Sequence, residues 1–296
     1  MLDKFFGNVK HSTQRRASSA AIGTRDADSE SFLPVPQTGP ARTKAATENQ
    51  HQNMQNYCKT IGALAAASAL VAGNATAEVE YELHTGYTSE YLFRGLDLGN
   101  DLVETGVNAA TEWNGLGLSA GAWYGSFDDN SAAGIEPGDY DYDELDLYAE
   151  VSKDLGFLTA SIGYIYYMTD DAALSVEDAQ EVYFGISKDL GFASASLTYF
   201  WDIETDNDGY AELGLDRSFE LNSCLTLNLG TNLGYLAEQG QCTAWTTKLG
   251  LDWAFTETAK LSPFVALAVA LNDDNDTAYA GTGNEFVAGS MLSVSF

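Results

Sequence analysis

Side chains able to hold or repel ions are common in this chain, whereas side chains grouped for bond-making are scarce. His84 is the one histidine after residue 77 and stands two and four residues from Glu82 and Glu80. A hydrolytic triad needs a base within reach of an activated serine. No serine is singled out by its surroundings, so His84 reads as polar lining on a strand. The acidic stretches Asn272–Asp276 and Asp206-Asn207-Asp208-Gly209 lack the ligand spacing of an EF-hand loop and read as a solvated rim. The Gly-x-Gly runs do not open a helix, so they are not phosphate cradles. Neither enzymatic activity nor a cofactor or metal is expected.

A second set of residues is better placed for chemistry of a different kind. Glu80, Glu82, Glu104, Glu112, Glu144, Asp146, Glu150, Glu181, Glu212, Asp216 and Asp252 share the polar parity of successive period-two segments, joined on that side by only two basic residues, Arg94 and Lys248. Carboxylates around a passage favour cations over anions, and a charged passage concentrates counter-ions. Arg94 stands near the outer end of the first segment, where pairing with carboxylates across the interior would narrow the mouth; the plainer reading is a snorkelling rim arginine.

Such residues need elements that face them inward. From residue 78 onward apolar positions alternate with polar or small ones, as in Leu145, Leu147, Ala149 and Val151 against Glu144, Asp146, Tyr148 and Glu150. A helix would smear that period over its whole circumference. Twelve segments follow the pattern, over approximately 79–94, 101–113, 116–127, 142–152, 157–168, 179–187, 192–202, 210–219, 225–236, 243–255, 261–271 and 285–296. Most have the length that lets a tilted strand cross a bilayer. Short connections such as Asn114-Gly115 and Lys153-Asp154-Leu155-Gly156 alternate with mostly longer ones, of which 128–141 and 272–284 are acidic. A hairpin unit recurs, VSKDLGFLTASIGYIY from Val151 and ISKDLGFASASLTYFW from Ile186. Short turns at one rim and long loops at the other characterise outer-membrane barrels. A secreted β-sandwich would share the alternation, but it would bury a face with few charges and leave strand edges unpaired.

The expected fold is therefore all-β, a single antiparallel transmembrane β-barrel of about twelve strands with up-and-down topology. Aromatic residues near strand ends fit a headgroup-level belt: Tyr87, Tyr91, Phe93, Trp113, Tyr124, Tyr164, Tyr166, Tyr199, Trp201, Trp253 and Phe255. Cys224 and Cys242 would lie at opposite rims, separated by about 30 Å of strand at the usual rise. A disulfide requires Cα atoms within about 7 Å, so no bond between them is expected.

Charge and export agree with that architecture. The 296 residues carry a formal charge of -29, and 38 of the 43 Asp+Glu lie after residue 77. So negative a surface repels nucleic-acid phosphates. Thr60–Ala72 (TIGALAAASALVA) is apolar, follows Lys59 and leads to Ala75-Thr76-Ala77. It reads as a secretory signal peptide spanning 54–77, cleaved near Ala77, because the run is too short for a membrane helix. Residues 1–53, rich in Ser, Thr, Gln, Ala and Arg, read as disordered or as sequence upstream of the true start at Met54. Localisation in the outer membrane of a Gram-negative-type bacterium follows, with membrane lipid as the surroundings of residues 78–296.

Ser89-Glu90-Tyr91-Leu92-Phe93-Arg94-Gly95 resembles the S-[DE]-Y-x-x-R-G motif of the TorF-type porins, a proteobacterial family of conserved hypothetical outer-membrane proteins. Gly115–Trp123 (GLGLSAGAW), Glu144-x-Asp146-x-Tyr148 and the tyrosines 164, 166 and 167 are similar to that family's following blocks. The resemblance covers about residues 85–168 and implies an outer-membrane barrel of porin type. The terminal Leu292, Val294 and Phe296 resemble the C-terminal signal read by the barrel-insertion machinery. The functional expectation is a porin passing small hydrophilic solutes, with preference for cations. The alternative is a non-conducting barrel that anchors or binds through its acidic loops.

Overall fold

The computed structural model describes residues 78–129, 141–170, 178–204, 209–271 and 284–296. The leader read over 54–77, the segment 1–53 and most of the acidic loop residues lie outside them. Twelve strands follow in order: β1 Glu80–Phe93, β2 Leu96–Trp113, β3 Leu116–Asp129, β4 Asp141–Asp154, β5 Thr159–Asp170, β6 Ala179–Asp189, β7 Ser194–Asp202, β8 Tyr210–Asn222, β9 Leu225–Leu236, β10 Gln241–Ala254, β11 Ala259–Ala270 and β12 Glu285–Ser295. Each pairs antiparallel with its sequence neighbours, and β1 pairs with β12, closing the barrel. The seam is carried down to the short-turn rim by reciprocal backbone bonds between Tyr81 and Phe296, both 3.0 Å. Among the described residues no helix is long and apolar enough to cross a membrane; spanning, here, is a matter of strands.

Local sequence accounts for the turns. Asn114 and Gly115 both take positive φ, 52° and 74°, the conformation a two-residue hairpin needs to match strand twist. The repeated KDLG segments form the same turn twice. Asp154 accepts the Gly156 N–H at 2.7 Å and Asp189 the Gly191 N–H at 2.6 Å. Both glycines sit at positive φ, 84° and 82°. Leu155 and Leu190 then donate to the carbonyls of Leu158 and Ala193. The internal repeat is thus a repeated turn with its flanking strands.

Parity sorts side chains as the alternation requires. Leu83, Val103, Ile162, Phe184, Leu197, Leu213, Leu249, Val265 and Leu292 point outward and are exposed. They form an apolar exterior around a closed hydrogen-bonded wall, the arrangement that satisfies backbone groups in lipid. Tyr87, Trp113, Tyr164, Tyr199, Trp201, Trp253 and Phe255 are likewise exposed. Tyr91 and Phe93 depart from the belt expected of them. Tyr91 is buried and packs on Phe127 with ring centroids 4.9 Å apart, and Phe93 packs on Tyr167 at 6.1 Å. Both belong to a part of β1 that has left the wall. Cys224 and Cys242 are free thiols in the turn before β9 and at the far end of β10.

The apolar exterior carries a measurable expectation. Leu249→Arg, at mid-strand on the outer face of β10, should destabilise the barrel in lipid vesicles by about 2–4 kcal/mol. Thr246→Arg, on the same strand but facing the interior, should cost clearly less. Urea unfolding of both variants in vesicles checks the assignment of faces.

Candidate functional site

The site is organised by the β1–β2 hairpin. Strand β1 pairs with β12 only as far as Thr88↔Gly289, and β2 pairs with β3 only from Gly99↔Asp129 onward. No residue from 89 to 98 pairs with β12 or β3; the hairpin is held by Glu90↔Asn100, Tyr91↔Gly99, Leu92↔Asp97 and Phe93↔Leu96. The β2–β3 register shifts between Asn100 and Val103, and the β1–β2 register between Tyr91 and Leu92. Asp101 takes φ of 54° at the first of these irregularities. Bulges bend and over-twist the strand that carries them. The Tyr87 hydroxyl donates to the Asp101 carboxylate across the bend. The hairpin closes in a two-residue turn, Arg94-Gly95, with φ of 54° and 86°. Strand β2 therefore begins at Leu96, five residues earlier than its alternation shows from sequence.

Beyond the bend the hairpin crosses the lumen. Around the closed barrel β7 is six strands from β1 in either direction, and the hairpin tip reaches it and its neighbours. Leu96 is buried with Tyr210 and Leu236 on β8 and β9. Phe93 packs against Tyr167 and Ala179 on β5 and β6. Gly95 meets the Ala244 methyl on β10 so closely that no Cβ fits between them. Nearer the bend, the Tyr91 hydroxyl donates to Glu144 at 2.7 Å, and the Ala288 N–H on β12 donates to Ser89 Oγ at 3.0 Å.

Arg94 sits at the tip. Its two terminal nitrogens donate to the two oxygens of Glu181 on β6, at 2.8 Å and 2.6 Å. The side chains are 8% and 3% exposed. The guanidinium carbon lies 4.5 Å from the ring centroids of both Phe200 and Tyr210 and 4.8 Å from that of Phe93. Tyr167 also donates to Glu181 Oε2 at 2.9 Å, so that oxygen accepts from both the guanidinium and the phenol. A planar fork between aromatic faces and on a carboxylate is the geometry for which arginine is suited and lysine is not.

The remaining lumen is a cavity of about 1180 Å³ reaching from the hairpin to the short-turn rim, where Lys260 and Asp252 border it. Of the residues expected to face inward, Glu82, His84, Arg94, Glu104, Asp146, Glu212, Asp216, Lys248 and Asp252 border this one space. Glu144 and Glu181 are buried where the hairpin meets the wall, at 0% and 2% exposure. Glu150 accepts from Tyr183 at 3.0 Å on the neighbouring wall. Glu80 and Glu112 stand exposed near the short-turn end and do not border the cavity. His84 has its Nδ1 4.0 Å from Glu82, too far for a hydrogen bond. Lys248 places its ammonium 3.8 Å above the Phe264 ring. Lys260, 3.9 Å from Asp252, is a further basic residue of the cavity that alternation had not included, because β11 begins at Ala259.

Inward aromatics were the larger omission. Trp123 donates to Glu104 at 2.7 Å and Tyr148 to Asn108 at 2.5 Å. The rings of Tyr148 and Tyr183 lie over Gly121 and Gly163 at distances no side chain would permit. Gly121 in β3 and Gly163 in β5 are thus seats for cross-strand rings rather than open space. Their signal was present in the sequence: Tyr148 has the parity of Asp146, and Tyr183 that of Glu181. Glu90, Asp97 and Glu285 bring carboxylate oxygens within 4.8 Å of one another at the hairpin base. They form the one such grouping of potential metal ligands among the described residues, and partly exposed acidic groups gather in this way without an ion.

Closed wall, apolar exterior and polar, partly filled interior define a β-barrel built to span a membrane. Residues 72–292 match a family model described as bacterial protein of unknown function (Gcw_chp), and the chain belongs to that family. No curated protein compared with it matches. Among solved structures it is similar to an outer membrane channel from Pseudomonas putida F1, at 13% identity and a TM-score of 0.48 over 74% of this chain and 95% of the channel. It is similar also to the NanC porin, at 14% identity and 0.43 over 73% and 98%. Outer membrane phospholipase A from Escherichia coli is similar at 14% identity and 0.41 over 73% and 92%.

The Arg94–Glu181 contact should behave as one coupled unit. In a double-mutant cycle with Arg94→Ala and Glu181→Ala, unfolding free energies in vesicles should show a coupling of about 0.5–3 kcal/mol. Each single variant should be the costlier for leaving a partner desolvated and unpaired. Amide exchange in residues 91–98 should rise in either one while the wall strands β8–β11 stay protected.

Proposed function

We propose that this protein is an outer-membrane porin for small hydrophilic solutes, that it prefers cations, and that its passage is narrowed by the inward β1–β2 hairpin. The observation that carries the reading is the lumenal cavity with its carboxylates. Glu82, Glu104, Asp146, Glu212, Asp216 and Asp252 border it, against Lys248, Lys260 and Arg217 and an Arg94 whose charge is already matched by Glu181. A low-dielectric wall around such a lining raises the local concentration of cations. The likeness of Ser89–Gly95 to the TorF-type motif points the same way. In this reading residues 54–77 direct export and the apolar exterior faces outer-membrane lipid.

One feature supports a second reading, a non-conducting barrel used as an anchor or binding surface: the hairpin crosses the lumen and buries Leu96 and Arg94 against the opposite wall. Electrical recording separates the two. In planar bilayers under a KCl gradient, the wild-type reversal potential should indicate cation preference, and a clear anion preference defeats the proposal. Arg94→Ala should raise single-channel conductance if the hairpin is the constriction. Silence of both wild type and variant favours the non-conducting barrel.

A further inference from the structure

We propose that the pocket holding Arg94 is a receptor site for organic cations of the guanidinium class, and that Arg94 is its tethered occupant. The inference deepens the porin reading and rests on it for its physiological sense, since the cation would arrive through the acidic lumen.

Most of the pocket belongs to the wall. Glu181 on β6, Tyr167 on β5, Phe200 on β7 and Tyr210 on β8 come from successive hydrogen-bonded strands, so their backbone positions are set by the wall and not by the hairpin that supplies the cation. Both oxygens of Glu181 are aimed at a fork, at 2.8 Å and 2.6 Å, and one of them is also held by Tyr167 at 2.9 Å. Two wall rings lie 4.5 Å from the cation. These elements select a planar, weakly hydrated cation with paired donors. A potassium ion would have to leave most of its hydration shell to gain one carboxylate, and a quaternary ammonium has no donors for the fork.

The occupant is carried by a segment that can move without opening the barrel. Residues 89–98 pair with neither β12 nor β3: Leu92 and Phe93 pair with Asp97 and Leu96, and Glu90 and Tyr91 with Asn100 and Gly99 at the hairpin base, while β1 remains zipped to β12 through Thr88 and β2 to β3 from Gly99. A free guanidinium that takes the place of Arg94 therefore removes the hairpin's polar anchor on the far wall and leaves the closure seam intact. Tethering gives Arg94 a high effective concentration, so the wild-type pocket yields only to abundant ligand. The ligand shifts the hairpin by as much as its preference for the vacated pocket.

The test uses ethylguanidinium as probe on the full-length barrel in detergent, with binding followed by calorimetry. Arg94→Ala should bind the probe saturably and about tenfold or more tightly than the double variant Arg94→Ala/Glu181→Gln, the loss expected for charge-assisted hydrogen bonds. Wild type should bind more weakly than Arg94→Ala. At saturation of the wild type, amide exchange of residues 91–98 should rise. Equal binding by the single and double variants, binding of tetramethylammonium as tight as that of ethylguanidinium, or unchanged exchange in the saturated wild type each overturns the proposal. Arg94→Met, which keeps the apolar stem, replaces Arg94→Ala should that variant fail to fold, with the same expected result. Bilayer recording of the same variants keeps the two readings apart. Probe binding with no conductance in any variant removes the porin reading and leaves the pocket; conductance without probe binding removes the pocket and leaves the porin.

Discussion

Closure of the sheet is the constraint from which the other features follow. Once β1 pairs with β12, the wall has no free edge, and each side chain in it points either to the lumen or to the exterior. The exterior can then be apolar without aggregating through exposed edges, and the interior can be charged because water rather than lipid reaches it. A backbone that met neither condition would leave unpaired N–H and C=O groups in hydrocarbon.

The hairpin is the one described segment that escapes this sorting, and the lumen takes its character from it. A β-hairpin of ordinary polarity would project beyond the rim. Here Phe93, Leu96 and Leu98 make a surface that water does not favour, and the far wall presents Tyr167, Phe200, Tyr210 and Leu236 to receive it, while Tyr91 packs nearer the bend on Leu102 and Phe127. Apolar burial draws the tip inward, and the arginine fixes where it lands. A desolvated ion pair adds little net stability, because losing water offsets most of the attraction. Its bidentate geometry nonetheless tolerates one position only, so Arg94 and Glu181 act as a locating pin within a contact made mostly by rings.

Glycine and aromatic residues share the rest of the interior by complementary exchange. Where β3 and β5 carry Gly121 and Gly163, the adjoining strands carry Tyr148 and Tyr183, whose rings lie across the glycines. The hydroxyls of those rings then reach Asn108 and Glu150. The same device places a phenol where it holds a polar group in register and narrows one side of the lumen. Open volume is left towards β8–β12, where Gly230, Gly250 and small polar residues border the cavity.

Twelve strands, their faces and the KDLG turns were legible from sequence, because period two and turn chemistry are local properties written in consecutive residues. Leu145 against Asp146, or Asp154 two residues before Gly156, needs no distant partner to be understood. Glu82, Glu104, Asp146, Glu212, Asp216 and Asp252, which border the cavity, share that local parity, but so do Glu80 and Glu112, which do not, while Glu90 borders it from the hairpin; that Arg94 meets a carboxylate was one of two readings. The partner itself was not legible. Glu181 lies 87 residues away, and no pattern near Arg94 distinguishes it from Glu144 or Glu212. The destination of Tyr91 and Phe93 was also hidden, since parity tells inside from outside only while a strand remains in the wall. Whether it remains there depends on how far β12 and β3 extend beside it, and that is a long-range register which only the folded barrel decides.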